Sequence, residues 1–267
     1  MARGIFISGT DTDVGKTAVA TAILRQAVAA GLACRGCKPV ASGVGHAEAD
    51  AGRLWLAAGK AGSPEDVCPQ SFQAAIAPTQ AAAAEGRQVD DKLLRTCLTP
   101  HRDADLIVVE GAGGLFSPLS DVTRNADLAR DLGLPVVVVD SVRLGAIGRT
   151  LATVTAARAV GLHVAAVVLS VTEPLEETAT SPPDSRAAIA HASLAELRQW
   201  LPDLPVSWLA YRADEIEPKM DWYALAAAIE PYFIGAYEHW PKIGPFLGHR
   251  SVFSKPQTLP KPAVVAS

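Results

Sequence analysis

The sequence predicts a doubly wound α/β fold in a single domain, with a mostly parallel sheet and helices on both faces. Three observations carry this. Short, unbroken apolar runs recur along the chain, "GIFIS", "DLIVVE", "LPVVVVD", "LHVAAVVLS" and "LPVSWLA", and a run without polar alternation suits a strand buried on both faces. Stretches rich in alanine and leucine separate the runs, as crossover helices between parallel strands require. The 267 residues are 49% apolar, ample for one sizeable core.

The first run leads into "GTDTDVGKT", Gly9 to Thr17, and then into the helix-favouring "AVATAILRQAVAAG". A helix that starts there turns its unpaired N–H groups and the positive end of its dipole into the loop, making a seat for an anion. Gly15 lets a phosphate approach the backbone, Lys16 supplies a point charge for terminal phosphates, and the Thr17 hydroxyl can sit on Mg²⁺. Asp13, Val14 and Ala18 complete this nucleotide-binding stretch. The loop is a variant of the common phosphate-loop pattern, which has glycine where this chain has Thr10, Gly9 standing one place earlier.

The second strand is expected around "CRGC", just before "CKPVASG". Pro39 denies helix immediately after Lys38, so the lysine is presented from a strand end that faces the loop. Next, "AEADAGRLWLAAG" begins a helix with Glu48 and Asp50 in its first turn, either as favourable charges at a helix N-terminus or as site residues. "DLIVVE" delivers Glu110 to the carboxyl edge of the sheet, the right hard-oxygen ligand for Mg²⁺ beside a phosphate loop. The glycine-rich stretch after it, Gly111, Ala112, Gly113 and Gly114, either brings backbone close to phosphates or forms a structural turn. Asp140 closes "PVVVVD", where it faces the site or caps the following turn. The polar, proline-bearing segment Thr172 to Arg186 reads as a long surface loop before the helix "AAIAHASLAELRQWL". Beyond Ala236, five prolines from Pro241 to Pro262 deny helix and central strand alike. The expected organisation is a domain over 1–235 and a proline-rich, extended tail over 236–267.

A net charge of −4 with no basic cluster argues against nucleic acid or an anionic membrane as partner. No apolar run spans a bilayer, and "MARGIFIS" enters a strand too soon for a secretory signal, so a cytoplasmic protein is expected. The pair Cys34 and Cys37 has no second pair or Cys/His cluster to complete a zinc site; with Cys68 and Cys97 these read as reduced, partly buried thiols.

"GTDTDVGKT", "CKPVASG", "EGAGGLFSPLSD" and "LPVVVVDSVRLGAIGRTLATVTAARAVGL", in that order, resemble the ATP-dependent dethiobiotin synthetase family from the N-terminus to about Tyr232. The resemblance implies a P-loop NTPase-like fold. It implies that Lys38, Lys16 and Thr12 serve catalysis, that Thr12, Lys38 and Ser42 face the substrate, and that Thr17, Asp50 and Glu110 hold Mg²⁺. It also implies the reaction: 7,8-diaminopelargonate takes up carbon dioxide as a carbamate, ATP phosphorylates it, and the second amine closes a cyclic urea. Carbamate and γ-phosphate are both anions, and concentrated positive charge must bring them together. The family works as a homodimer in which the turn bearing Leu144 and Gly145 approaches the neighbouring subunit's substrate. Gly148 and Arg149 stand where a member of the family has asparagine and histidine. Ser170 stands where the family offers an asparagine to adenine, with the backbone of Val206, Ser207 and Trp208 as a further base-reading candidate. Two rivals fit less well. Partition and division-site ATPases carry a lysine near the start of the loop, where this chain reads "GTDTD", and a cobyrinate amidase-like synthase needs a glutamine-hydrolysing domain for which no length remains.

Overall fold

Each apolar run becomes a strand, and the order of the strands across the sheet decides where the site can be. The computed structural model describes residues 2–43, 46–175, 182 and 184–229, apart from the side chains of 46–49. Among them the chain runs β1 (Arg3–Gly9), α1 (Lys16–Ala29), β2 (Cys34–Cys37), β3 (Ala41–Ser42), α2 (His46–Ala57), α3 (Pro64–Val67), β4 (Ser71–Phe72), α4 (Pro78–Ala84) and α5 (Asp91–Thr96). After a 3₁₀ turn (Thr99–His101) follow β5 (Leu106–Gly114), α6 (Asn125–Asp131), β6 (Val136–Ser141), α7 (Ala146–Ala159), β7 (Val164–Ser170), α8 (Arg186–Trp200), β8 (Val206–Leu209), β9 (Ile216–Glu217), α9 (Trp222–Leu225) and β10 (Ala227–Ala228).

The main sheet has the order β2-β5-β1-β6-β7-β8-β9. All neighbours from β2 to β8 are parallel, while β9 joins β8 and β10 joins β1 antiparallel. The chain winds outward from β1 in both directions, so a crevice opens at the carboxyl end of β1, between β5 and β6. Successive residues of β1 face opposite cores: Phe6 packs with Val109, Val136 and Val138 on one side, Ile5 and Ile7 with Val108, Val137 and Val139 on the other. Helix α1 covers the second face through Val19, Ala20, Ile23, Leu24 and Ala27, meeting Leu54 of α2. Val154 and Ala157 of α7 and Ala190 and Leu197 of α8 cover the first.

Three details depart from the sequence expectations. β5 runs through the glycines to Gly114, because its end pairs with the end of β1, Gly9 opposite Gly114; Glu110 therefore lies inside the strand rather than at its last residue. A separate two-stranded parallel sheet, β3 with β4, follows the Lys38 segment. Helix α2 begins at His46, so Asp50 falls in its second turn, and the reading of Asp50 as a first-turn charge does not hold. The long loop is described only at 172–175, 182 and 184–186, and the tail after Ala236 lies outside the described residues.

His101 closes the 3₁₀ turn 2% exposed, and its Nε2 is buried with no partner among the described residues. Burial lowers its pKa from 6.5 despite the nearby Asp66 and Asp103 carboxylates. The unfolded chain therefore takes up this proton at a higher pH than the folded one, so stability falls as pH drops below about 6.5 and is untouched above it. His101→Gln removes the titration; in urea unfolding from pH 7.5 to 5 the variant is expected to lose less stability than the parent, and equal losses would exclude His101.

Candidate active site

The loop between β1 and α1 is shaped by one residue that only glycine can be. Gly15 precedes α1 with φ 93°, and a Cβ there would lie 2.2 Å from Ser170 Oγ at the end of β7. Ser170, 2% exposed, thus sits directly against the loop. Val14 is fully buried, Asp13 adopts φ 56°, and Thr12 is exposed with its backbone N–H donating to Asp11 Oδ1 at 2.7 Å. Lys16 is 8% exposed, and its Nζ donates to the Asp11 carbonyl at 2.9 Å. Burial, reinforced by the Lys38 charge and opposed by Glu110, lowers its pKa. Ala18 is half-buried in the first turn of α1.

Glu110 gathers the rest. It is 1% exposed, and its Oε1 accepts from Thr17 Oγ1 and from Lys38 Nζ, each at 2.8 Å. Lys38, 7% exposed, also donates to Asp50 Oδ2 at 2.6 Å. Burial alone would push its pKa down, but Glu110 and Asp50 outweigh burial and raise it. Four residues from four separate segments, Thr17, Lys38, Asp50 and Glu110, thus meet in one cluster. Glu110 Oε2 is buried with no partner among the described residues. With the Thr17 hydroxyl and the Asp50 carboxylate it forms a set of hard oxygens whose chemistry fits Mg²⁺. Ser42, on β3, donates its hydroxyl to the Ile76 carbonyl at 2.6 Å.

Two features complete the surrounding frame, of which Asn125 was not read from the sequence. Asn125, fully buried at the start of α6, donates to the carbonyls of Ala112 and Gly114, each at 2.7 Å, and accepts from the Ala112 N–H at 3.2 Å. It holds the backbone of Gly111, Ala112 and Gly113 beside the loop, and a Cβ on Gly111 would strike its Oδ1 at 2.3 Å. The signal available was an asparagine following a polar turn, which is too common to single out. The second feature is Asp140, fully buried at the end of β6 and bonded to Thr10 at 2.7 Å.

Leu144 and Gly145 form an exposed turn before α7, Leu144 being 85% exposed and Gly145 having φ 88°. Val206, Ser207 and Trp208 lie inside β8, paired with Val167, Val168 and Leu169 of β7, and Ser170 stands opposite Leu209. The Val206 carbonyl already accepts from Arg198, and Ser207 Oγ donates to the Pro218 carbonyl. These positions lie in β8 beside the end of β7, whose last residue is Ser170.

Residues 3–206 match the family model described as an AAA domain. The chain is 44% identical over 207 residues to the ATP-dependent dethiobiotin synthetase BioD of Anaeromyxobacter dehalogenans (strain 2CP-C), covering 76% of this chain and 92% of that protein. It is 41% identical over 175 residues to the protein of that name from Caulobacter vibrioides (strain NA1000 / CB15N), covering 63% and 80%. With the one from Rhodopirellula baltica it shares 36% over 218 residues, covering 74% and 85%. Among solved structures, the septum site-determining protein MinD complexed with Mg-ADP from Pyrococcus horikoshii OT3 aligns at TM-score 0.46 and 15% identity, covering 79% of this chain and 82% of that one. With a relative 44% identical across nearly its whole length, and with the nucleotide loop, Lys38 and Glu110 gathered at one sheet edge, the chain belongs to the ATP-dependent dethiobiotin synthetase family.

Proposed function

We infer that this chain makes dethiobiotin in biotin biosynthesis, closing the cyclic urea of 7,8-diaminopelargonate and carbon dioxide at the expense of ATP. The observation that carries the reading is Glu110 joining Thr17 of the nucleotide loop to Lys38, both at 2.8 Å, which makes the phosphate seat and the lysine segment one site. One amine adds to carbon dioxide and loses a proton to give a carbamate. A carbamate oxygen attacks the γ-phosphorus as ADP leaves, and the second amine attacks the carbonyl carbon as phosphate leaves. Lys16 binds the terminal phosphates and Lys38 stabilises the charge shared between carbamate and γ-phosphate, an interaction that grows toward the transition state. Thr12 and Ser42 orient the diamine, and Ser170, against Gly15, lies on the side of the base. Thr17, Asp50 and Glu110 hold Mg²⁺, which draws charge from the phosphate oxygens when bound.

The enzyme works as a homodimer in the cytoplasm, each subunit offering the Leu144–Gly145 turn to its partner's substrate. Leu144 supports this, being an apolar side chain that the fold leaves exposed. Among the described residues no helix is long and apolar enough to cross a membrane. Residues 1–235 are the synthetase domain, with 236–267 an appended tail.

ADP release, assayed with each component omitted in turn, is expected to require both 7,8-diaminopelargonate and bicarbonate; hydrolysis indifferent to the diamine would sink the reading. Lys38→Gln keeps the length and a donor but removes the charge, and is expected to lower kcat on the order of 100-fold, the scale of one lost preorganised electrostatic group. A folded Lys38→Gln protein with near-normal turnover takes Lys38 out of the mechanism. Thr17→Val replaces the hydroxyl by a methyl of similar size. The Mg²⁺ concentration for half-maximal rate is expected to rise about tenfold or more, and an unchanged Mg²⁺ titration would contradict the ligand assignment.

A further inference from the structure

The nucleotide loop is pinned at both ends, and only one of the two pins belongs to the cluster around Lys38. At its far end Thr17 holds Glu110 of β5. At its near end the Thr10 hydroxyl donates to Asp140 Oδ1 of β6 at 2.7 Å. Asp140 is fully buried, and a carboxylate so placed needs charge and hydrogen bonds around it. Arg149, in the first turn of α7, supplies the charge: Nε lies 3.2 Å from Oδ2 and Nη2 3.3 Å from Oδ1. The Ser141 N–H donates to Oδ1 at 2.8 Å and the Thr150 hydroxyl to Oδ2 at 3.3 Å. The same guanidinium reaches the other way, donating through Nη1 to the Leu144 carbonyl at 3.2 Å.

We propose that Asp140 and Arg149 are positioning residues for the nucleotide loop. Asp140 fixes Thr10, and with it the Asp11 carbonyl on which Lys16 rests at 2.9 Å; Arg149 places its charge on Asp140, orients it and ties it to the turn at Leu144. Neither residue reaches into the loop between Asp11 and Thr17; both act through Thr10. The structure thereby explains a residue that the common loop pattern does not, because a glycine at position 10 would leave Asp140 without its shortest hydrogen bond. The inference rests on the loop being a nucleotide site, and the test separates the two.

The affinity of a fluorescent ATP analogue is measured for the full-length parent, Arg149→Gln, Thr10→Val, the double variant and Arg149→Lys, each checked for folding by circular dichroism. Arg149→Gln and Thr10→Val are each expected to weaken binding about 5- to 10-fold, and the double variant no more than about 2-fold beyond the weaker single, since residues in one network do not act independently. Arg149→Lys, which keeps the charge but not the two-nitrogen grip on Asp140 or the bond to Leu144, is expected to bind between Arg149→Gln and the parent. A role in overall stability alone would leave affinity unchanged in folded protein. The proposal fails if folded Arg149→Gln binds like the parent or if the two effects multiply. Should Arg149→Gln not fold, Asp140→Asn replaces it, keeping an acceptor for Thr10 while removing the charge, and parent-like affinity there overturns the proposal equally. A parent that binds no nucleotide would instead overturn the nucleotide reading itself.

Discussion

The constraint on which the site depends is the burial of the Glu110 carboxyl, 1% exposed, against Lys38 and Thr17. A carboxylate withdrawn from water is tolerated only if nearby charge and donors replace its hydration, and removing one partner of a buried pair costs about 3–5 kcal/mol. Here Lys38 supplies the charge and Thr17 a donor, while Asp50, its own side chain 26% exposed, shares the same ammonium from α2. The ammonium between two carboxylates fixes the relative positions of β2, β5, α1 and α2 at the edge where the crevice opens. Chemistry and folding therefore share one interaction: the same contacts that make Glu110 tolerable gather an acid pair, a lysine and a loop hydroxyl into reach of one another.

The sheet explains why this is possible at the end of β1 and nowhere else along it. β1 is flanked by β5 and β6, and each flanking strand carries a buried carboxylate, Glu110 midway along β5 and Asp140 next to last in β6. A threonine at either limit of the loop donates to one of them, Thr10 to Asp140 and Thr17 to Glu110, and each carboxylate is matched by a cation from an adjacent element, Arg149 or Lys38. The loop is thus suspended between two neutralised charges. Glycine positions inside it supply freedom of backbone, but the hydroxyls set its place.

Much of this arrangement was legible in the sequence. The five apolar runs, the glycine-bounded loop before α1 and the separate clues of Lys38 and Glu110 are local patterns, and local patterns survive folding. What was not legible depends on partners distant in the chain. The stretch after Glu110 left open a phosphate contact or a turn, because nothing nearby reveals that β1 will offer Gly9 as a pairing partner for Gly114. Asp50 stood between a helix N-terminal charge and a site residue, because spacing alone does not choose; in the structure it sits in the second turn of α2 and bonds Lys38. Asp140 stayed ambiguous because its decisive partners come from a loop 130 residues earlier in the chain and from the helix that follows it.

The two lysines that the sequence set side by side stand in different electrostatic conditions. Lys38 lies between two carboxylates, which outweigh its burial and raise its pKa. Lys16 rests on a neutral carbonyl, and burial with the nearby Lys38 charge lowers its pKa. The charge on Lys16 is therefore the less compensated of the two and gains more from an approaching anion, since a phosphate beside it replaces a weak dipole contact by an opposite charge in a poorly solvated place. Lys38 gains less, because part of any new attraction is offset by loosening its hold on Glu110 and Asp50. On the proposed reaction, which joins two anions, such unequal cations serve different ends: one is open to the incoming phosphate, and the other keeps its charge shared until the reacting groups compete for it.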